Sequence, residues 1–356
     1  MAVLMKKQNN LNSEKAPRYR GAERPVSDMT NTNTANSSLG ALLSQEKNLI
    51  IDGSMSTALE QLGCNLNDRL WTARVLADHP ELVKEVHLQY LRAGADLHIS
   101  ASYQATIQGL TENGYSLEEA EEVIRRSVRM FKEARSEWWE AEGREAGRNW
   151  PLVGGAIGPY GAYLADGSEY RGNYGVSDEV LYDFHRRRME LLAEEGSDFL
   201  LIETQPSLHE ALIEAKIAED LQIDYWISFS CRDGRHIHEG DLIRDCAKAL
   251  AEGYPGLKMI GINCTAPQFI ESLIRELRSA TDLPVAVYPN SGETYDPETK
   301  TWHGSKGMRS FGSYALDYYR AGAAAVGGCC TTAASHILQV REAKETVLRE
   351  PARIIP

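Results

Sequence analysis

The chain has 356 residues, with 38 Lys plus Arg against 51 Asp plus Glu and a formal charge of −13. An acidic chain without clustered Lys and Arg is a poor ligand for a phosphate backbone, so no nucleic-acid partner is expected. No apolar run approaches the roughly 20 residues of a membrane span, and six cysteines are too few for a disulfide scaffold. No basic-then-apolar leader is visible. The expectation is a soluble, cytoplasmic globular protein with a large core.

The first forty residues differ from the rest. They carry six basic side chains (Lys6, Lys7, Lys15, Arg18, Arg20, Arg24) and only three acidic ones. They end in the polar, low-complexity run Thr30–Ser38. Such a segment cannot bury enough apolar surface to offset its ordering entropy. Residues 1–40 are therefore expected to form a disordered polar tail, and residues 41–350 a single domain.

From residue 41 onward, short apolar runs alternate with amphipathic stretches. The runs are NLIID (48–52), ADLHISA (95–101), LVGGAIG (152–158), DFLLIE (198–203), DYWISFS (224–230), LKMIGIN (257–263), LPVAVY (283–288) and AAAVGG (323–328). Each is too short for a buried helix and rich in aliphatic residues, as buried parallel strands are. Helical patterns separate them at 80–93, 117–142, 178–195, 207–221, 242–252, 266–279 and 311–321. The alternation predicts an α/β fold, a (β/α)₈ TIM barrel, in preference to an open doubly wound sheet.

A barrel carries its chemistry where the strands end, in the loops that follow. Those ends hold Asp52-Gly53, Ser102-Tyr103-Gln104, Gly158-Pro159-Tyr160, Glu203-Thr204, Asn263-Cys264, Pro289-Asn290 and Cys329-Cys330. Three cysteines thus fall on one face. They could all be structural, since free Cys packs as a small hydrophobe. A vicinal pair is less bland. A disulfide between neighbours is strained, and adjacent thiolates repel unless a cation holds them. Zn²⁺ is such a cation, and three protein ligands leave a fourth tetrahedral position open. An all-thiolate zinc suits the binding of another thiolate, whose pKa it lowers, and so points to alkylation of a substrate thiol.

The segments DGSMSTALEQLGCNLNDRLWTARVL (52–76), SYQAT (102–106), GPYGAYLADGSEYRGNYG (158–175), GINC (261–264), YPNSGETYDPETKTWHG (288–304) and GGCC (327–330) together resemble the homocysteine S-methyltransferases. The likeness spans roughly residues 41–345 and is strongest to the branch that uses S-methylmethionine. It implies a (β/α)₈ barrel, one zinc held by Cys264, Cys329 and Cys330, and methyl transfer to L-homocysteine to give L-methionine. S-adenosylmethionine is the alternative donor. The resemblance also implies that Asp52 and Glu203 receive the homocysteine ammonium group. With Gly53, Ser54, Tyr103 and Asn290, they make up the expected substrate-binding set.

The chain departs from that family pattern in three places. Thr331 follows GGCC where relatives usually carry Arg. Gln205 stands where an apolar residue is common, and His98 occupies a strand position usually small or apolar. The glycine-rich 158–175 loop carries Tyr160, Tyr163, Tyr170 and Tyr174. Aromatic faces attract a sulfonium donor, so Tyr160 and Tyr170 are expected in the donor pocket, with the loop as a lid. His236 and His238 are expected to be solvated loop residues. No GxGxxG fingerprint is present, which disfavours a dinucleotide site. A related thiol or selenol methyltransferase with another donor, or a catalytically silent zinc-binding barrel, are the competing readings.

Overall fold

The computed structural model describes residues 39–292, 294–296, 301–303 and 309–351. The expected tail, residues 1–38, and part of the 288–304 motif lie outside the described residues.

Eight parallel strands close into a barrel. They are β1 (Leu49–Ile50), β2 (Leu97–Ile99), β3 (Leu152–Ile157), β4 (Phe199–Gln205), β5 (Tyr225–Phe229), β6 (Leu257–Asn263), β7 (Val285–Tyr288) and β10 (Ala325–Val326). Their order around the sheet is β1-β10-β7-β6-β5-β4-β3-β2. A parallel bridge between Ile51 and Leu97 joins β1 to β2, reinforced by the Asp52 N–H donating to the Leu97 carbonyl at 3.0 Å. A short antiparallel hairpin, β8 (Thr294–Asp296) with β9 (Thr301–His303), lies between β7 and β10 in the chain.

The strands are apolar on both faces because each face meets its own core. Leu49, Ile51, Leu97, Leu152, Phe199, Leu201, Trp226, Met259, Ala286, Tyr288 and Ala325 fill the barrel interior. Their outward neighbours, among them Ile50, Val153, Leu200, Ile202, Ile227, Ile260, Val285 and Val287, pack against the surrounding helices. Those helices include Pro80–Ala93, Leu117–Trp138, Asp178–Glu194, Leu208–Asp220, Ile243–Ala251, Pro267–Arg278 and Phe311–Ala321. Local chemistry fixes their starts. Ser116 and Glu119 form a reciprocal cap, Ser177, Ser207 and Ser310 accept from the first-turn backbone, and Pro80 and Pro267 open their helices.

Several short elements escape the sequence reading, and two longer-range ones bear on the domain's limits. The helix Ala334–Arg349 follows β10 and completes the eighth unit. The helix Leu39–Gln45 begins inside the segment expected as tail. Its Leu39 and Leu42 are buried with the barrel-interior residues, so Leu39, two residues inside the expected tail, already packs with the barrel. No described helix is long and apolar enough to cross a membrane.

Candidate metal and substrate site

The strand alternation aims side chains before any tertiary contact is considered. In β4, Phe199 and Leu201 point inward, and Glu203 continues that series at the barrel mouth. The pairing of β4 with β5 shifts register between Ile202 and Gln205, and Thr204 there adopts a left-handed φ of 59°. Such bulges re-aim side chains at functional ends of sheets. Cys264, just past β6, is also left-handed at φ 46°, as is Thr331 at φ 63°. Non-glycine residues in this region cost about 1–3 kcal/mol each and persist only where the surroundings hold them.

These turns bring the three cysteines together. Cys264 Sγ lies 2.7 Å from Cys329 Sγ and 3.9 Å from Cys330 Sγ, and all three sulfurs fall within 4.8 Å of one another. Two sulfurs on one tetrahedral zinc stand about 3.8 Å apart, as Zn–S bonds of about 2.3 Å require. The 264–330 spacing matches that value, and the 264–329 contact is tighter. Hydrogen bonds from Cys329 and Cys330 hold the Cys264 thiol well below its usual range, while sharing with Cys264 raises the other two. Three soft, convergent donors at the strand ends fit a thiophilic divalent ion.

Glu203 and Asp52 flank this centre, both buried. Burial raises the Glu203 carboxyl well above its ordinary range, and the charges of Cys264 and Asp52 push it further. Tyr288 lies beside it and opposes the rise, and Asn263 Nδ2 lies 3.5 Å away. Asn263 also ties the Thr204 turn, accepting its N–H at 2.8 Å and donating to its hydroxyl at 2.7 Å. Burial likewise raises the Asp52 carboxyl, opposed by the Ile99 N–H, which donates to Oδ2 at 3.0 Å. Asp52 Oδ1 has no partner among the described residues. Two buried carboxylates beside a thiolate make a pocket that favours a cation.

The remaining expected residues divide by role. Gly53 is required by close approach, since a Cβ there would meet the Tyr90 ring at 2.8 Å. The Ser54 hydroxyl caps the helix Met55–Gln61, accepting from Thr57 N at 3.2 Å. Its carbonyl accepts from Tyr90 OH at 2.8 Å. Tyr103 packs under Gly158, whose missing side chain leaves room for the ring, and it faces Glu203, Cys264 and Glu169. Asn290 donates its backbone N–H to Thr265 at 3.2 Å and leaves Oδ1 unpartnered among the described residues.

The two tyrosines expected in the donor pocket have different neighbours. Tyr170 reaches the metal centre, close enough to Cys264 to help hold its thiol below the usual range. Tyr160 instead packs with Tyr163, Tyr174 and Phe184, at centroid distances of 5.7, 5.5 and 4.9 Å, and its N–H donates to the buried Glu210 at 2.6 Å. The loop coils into a short helix, Tyr160–Leu164, and then a turn, Ser168–Tyr170. His236 binds Asp233 at the surface, as a loop histidine should. His238 does not stay solvated: its ring meets Tyr170 edge-on at 5.4 Å, and Nδ1 lies 3.0 Å from Ser230 Oγ.

Glu169 was not singled out by the sequence reading. Burial pushes its carboxyl up to about 7, with the charge of Cys264 adding to the rise. Its place in the SEY turn of the 158–175 motif is the signal that could have found it. Gln205 is buried with both side-chain polar atoms unpartnered among the described residues. Thr331, directly after the vicinal cysteines, hydrogen-bonds Ser291 and the Cys330 carbonyl, so it braces the cysteine turn.

The homocysteine S-methyltransferase family model matches residues 49–344. A Bacillus subtilis homocysteine S-methyltransferase is 48% identical, covering 82% of this chain and 93% of its own length. A selenocysteine Se-methyltransferase of Brassica oleracea is 44% identical over 82% of this chain and 88% of its own. Among solved structures, the metallated form of the Escherichia coli homocysteine methyltransferase MmuM is 41% identical, with a TM-score of 0.76 over 85% of this chain and 98% of that one. Barrel, converging cysteines and a match over most of the chain agree: the chain belongs to the homocysteine S-methyltransferase family of methyltransferases.

Proposed function

We propose that the protein transfers a methyl group from S-methylmethionine to L-homocysteine in the cytoplasm, forming L-methionine, with zinc held by Cys264, Cys329 and Cys330. The observation that carries this reading is the meeting of three sulfurs from two distant segments beside two buried carboxylates. Bound there, zinc would keep the substrate thiol ionised near neutral pH.

The chain's own residues do the rest. Glu203 and Asp52 pair with the homocysteine ammonium, which relieves the repulsion between them. That ion pair orients the amino acid with its sulfur toward the cysteines. Tyr170 and Tyr103 present aromatic rings beside Cys264, where a sulfonium cation is attracted by about 0.5–2 kcal/mol. The homocysteine sulfur then displaces the thioether of the donor, and both molecules leave as methionine. Alignment of acceptor and donor, rather than proton transfer to carbon, supplies most of the rate.

Purified full-length protein should form methionine from homocysteine with S-methylmethionine, and more slowly with S-adenosylmethionine. Chelation should abolish turnover and added zinc restore it, and Cys329→Ser should lose both metal and activity. Full activity after complete metal removal would refute the reading. The relative named for selenocysteine favours one second reading, in which a selenol is the preferred acceptor. Selenocysteine and homocysteine assayed side by side separate the two.

A further inference from the structure

Behind Asp52 lies a group of buried polar side chains with no assigned role. In β1, Leu49 and Ile51 face the barrel interior and Ile50 the helices. Asp52 follows on the side of Ile50. In β2, Leu97 faces inward, so His98 also faces the helices. There it meets His87 of the helix Pro80–Ala93 and Phe131 of the helix Leu117–Trp138, at centroid distances of 6.2 and 4.6 Å. His98 Nδ1 is 3.4 Å from Asp52 Oδ2. Ligand atoms of Asp52, His87 and His98 all lie within 4.8 Å of one another. The three side chains are buried, and neither imidazole makes a hydrogen bond to another side chain among the described residues.

Leaving such groups buried in an apolar wall is costly unless they serve one another. We propose that His98, backed by His87, is a positioning residue for Asp52: its Nδ1 stands 3.4 Å from Oδ2 and closes to a donor bond when the substrate ammonium docks, so that Oδ1 stays turned toward that ammonium. The Ile99 N–H already holds the same oxygen at 3.0 Å, and the adjacent imidazole limits how far the carboxylate can turn. Burial keeps His98 neutral, with its pKa near 3, so it acts as a dipole and not as a counter-charge. A cation there would compete with the substrate amine, whereas a neutral donor orients Asp52 without satisfying it.

The inference rests on homocysteine as acceptor, and its test separates the two. Metal-loaded wild type, His98→Leu and His98→Asn are compared by homocysteine KM, donor KM and kcat. His98→Leu should raise homocysteine KM on the order of tenfold, the loss of one hydrogen bond to a charged group, with donor KM changed less than twofold. His98→Asn, whose amide can donate from near the Nδ1 position, should restore most of the affinity. An unchanged homocysteine KM in His98→Leu, or equal impairment of both variants, overturns the proposal. So does a second metal per chain that survives Cys329→Ser and is lost in His98→Leu, because the cluster would then be an ion site. If wild type makes no methionine, the functional reading fails, and nitrogen NMR of labelled histidine still tests the inference. A neutral imidazole protonated at Nδ1 that shifts in Asp52→Asn supports it, and an Nε2–H tautomer refutes it.

Discussion

Glu203→Gln tests whether binding and stability oppose each other at the barrel mouth. The carboxyl is buried, lies near Asp52 and the cysteine charge, and is raised well above its ordinary range by burial. The folded chain without substrate therefore bears a cost for it at neutral pH. The neutral amide has nearly the same shape and removes that cost, so the variant should resist heat and denaturant at least as well as wild type. Substrate binding should move the other way. An ammonium about 4 Å from one carboxylate at an effective dielectric of 20 gains about 4 kcal/mol. Asp52 remains, and the relieved strain of the free protein offsets part of the loss, leaving about 2–3 kcal/mol. Homocysteine KM should accordingly rise roughly 30- to 150-fold. Methionine formation at saturating donor measures the first quantity and thermal unfolding the second. A variant that is less stable yet keeps wild-type homocysteine KM would show that Glu203 supports the fold and does not receive the amine.

Three further outcomes are expected. His98 is neutral in the fold with a pKa near 3, lowered by burial from its ordinary 6.5, so as pH falls below 6.5 the unfolded chain takes up a proton that the folded chain refuses. The stability tied to it is complete above pH 6.5 and drains as pH drops. Urea unfolding of wild type and His98→Asn should thus diverge by about 1.4 kcal/mol per pH unit between pH 6 and 4, with wild type losing more. Parallel curves would contradict this; comparing the two chains largely cancels the opposite trend of buried carboxyls such as Glu214. Tyr170→Leu should raise donor KM roughly three- to thirtyfold, whereas Tyr160→Leu, whose ring packs on Phe184, should lower stability and leave donor KM alone. Leu39→Ala should lower stability by about 2–5 kcal/mol without altering either KM, and an unmoved urea midpoint would mean that the Leu39–Gln45 helix does not close the barrel floor.

The barrel was legible because eight strands buried on both faces leave continuous apolar runs that no surface helix imitates. The cysteine cluster was legible for a geometric reason. Once Cys264 and Cys329-Cys330 are placed at strand ends, the fold itself brings them to one rim. The helix Leu39–Gln45 was hidden because only Leu39 and Leu42 carry its burial, next to a polar run. The helix Ala334–Arg349 was hidden because its buried side chains are few, Ile337, Val340 and Ala343, among many charges. The sequence marked His98 as unusual but did not reveal its partner, since Asp52, His87 and His98 come from three elements. Glu169 escaped for the same reason: its environment is built by Tyr103 and Cys264 from other strands.

The left-handed backbone at Cys264 has a consequence for redesign. Because the main chain is held in a strained left-handed turn there, the sulfur is preorganised toward its partners, and the strain is borne by neighbouring ties such as Asn263 to Thr204. A glycine next to such a turn would ease the chain yet let the thiol wander. Attempts to stabilise this enzyme should therefore leave the rim tense and look for gains at the floor.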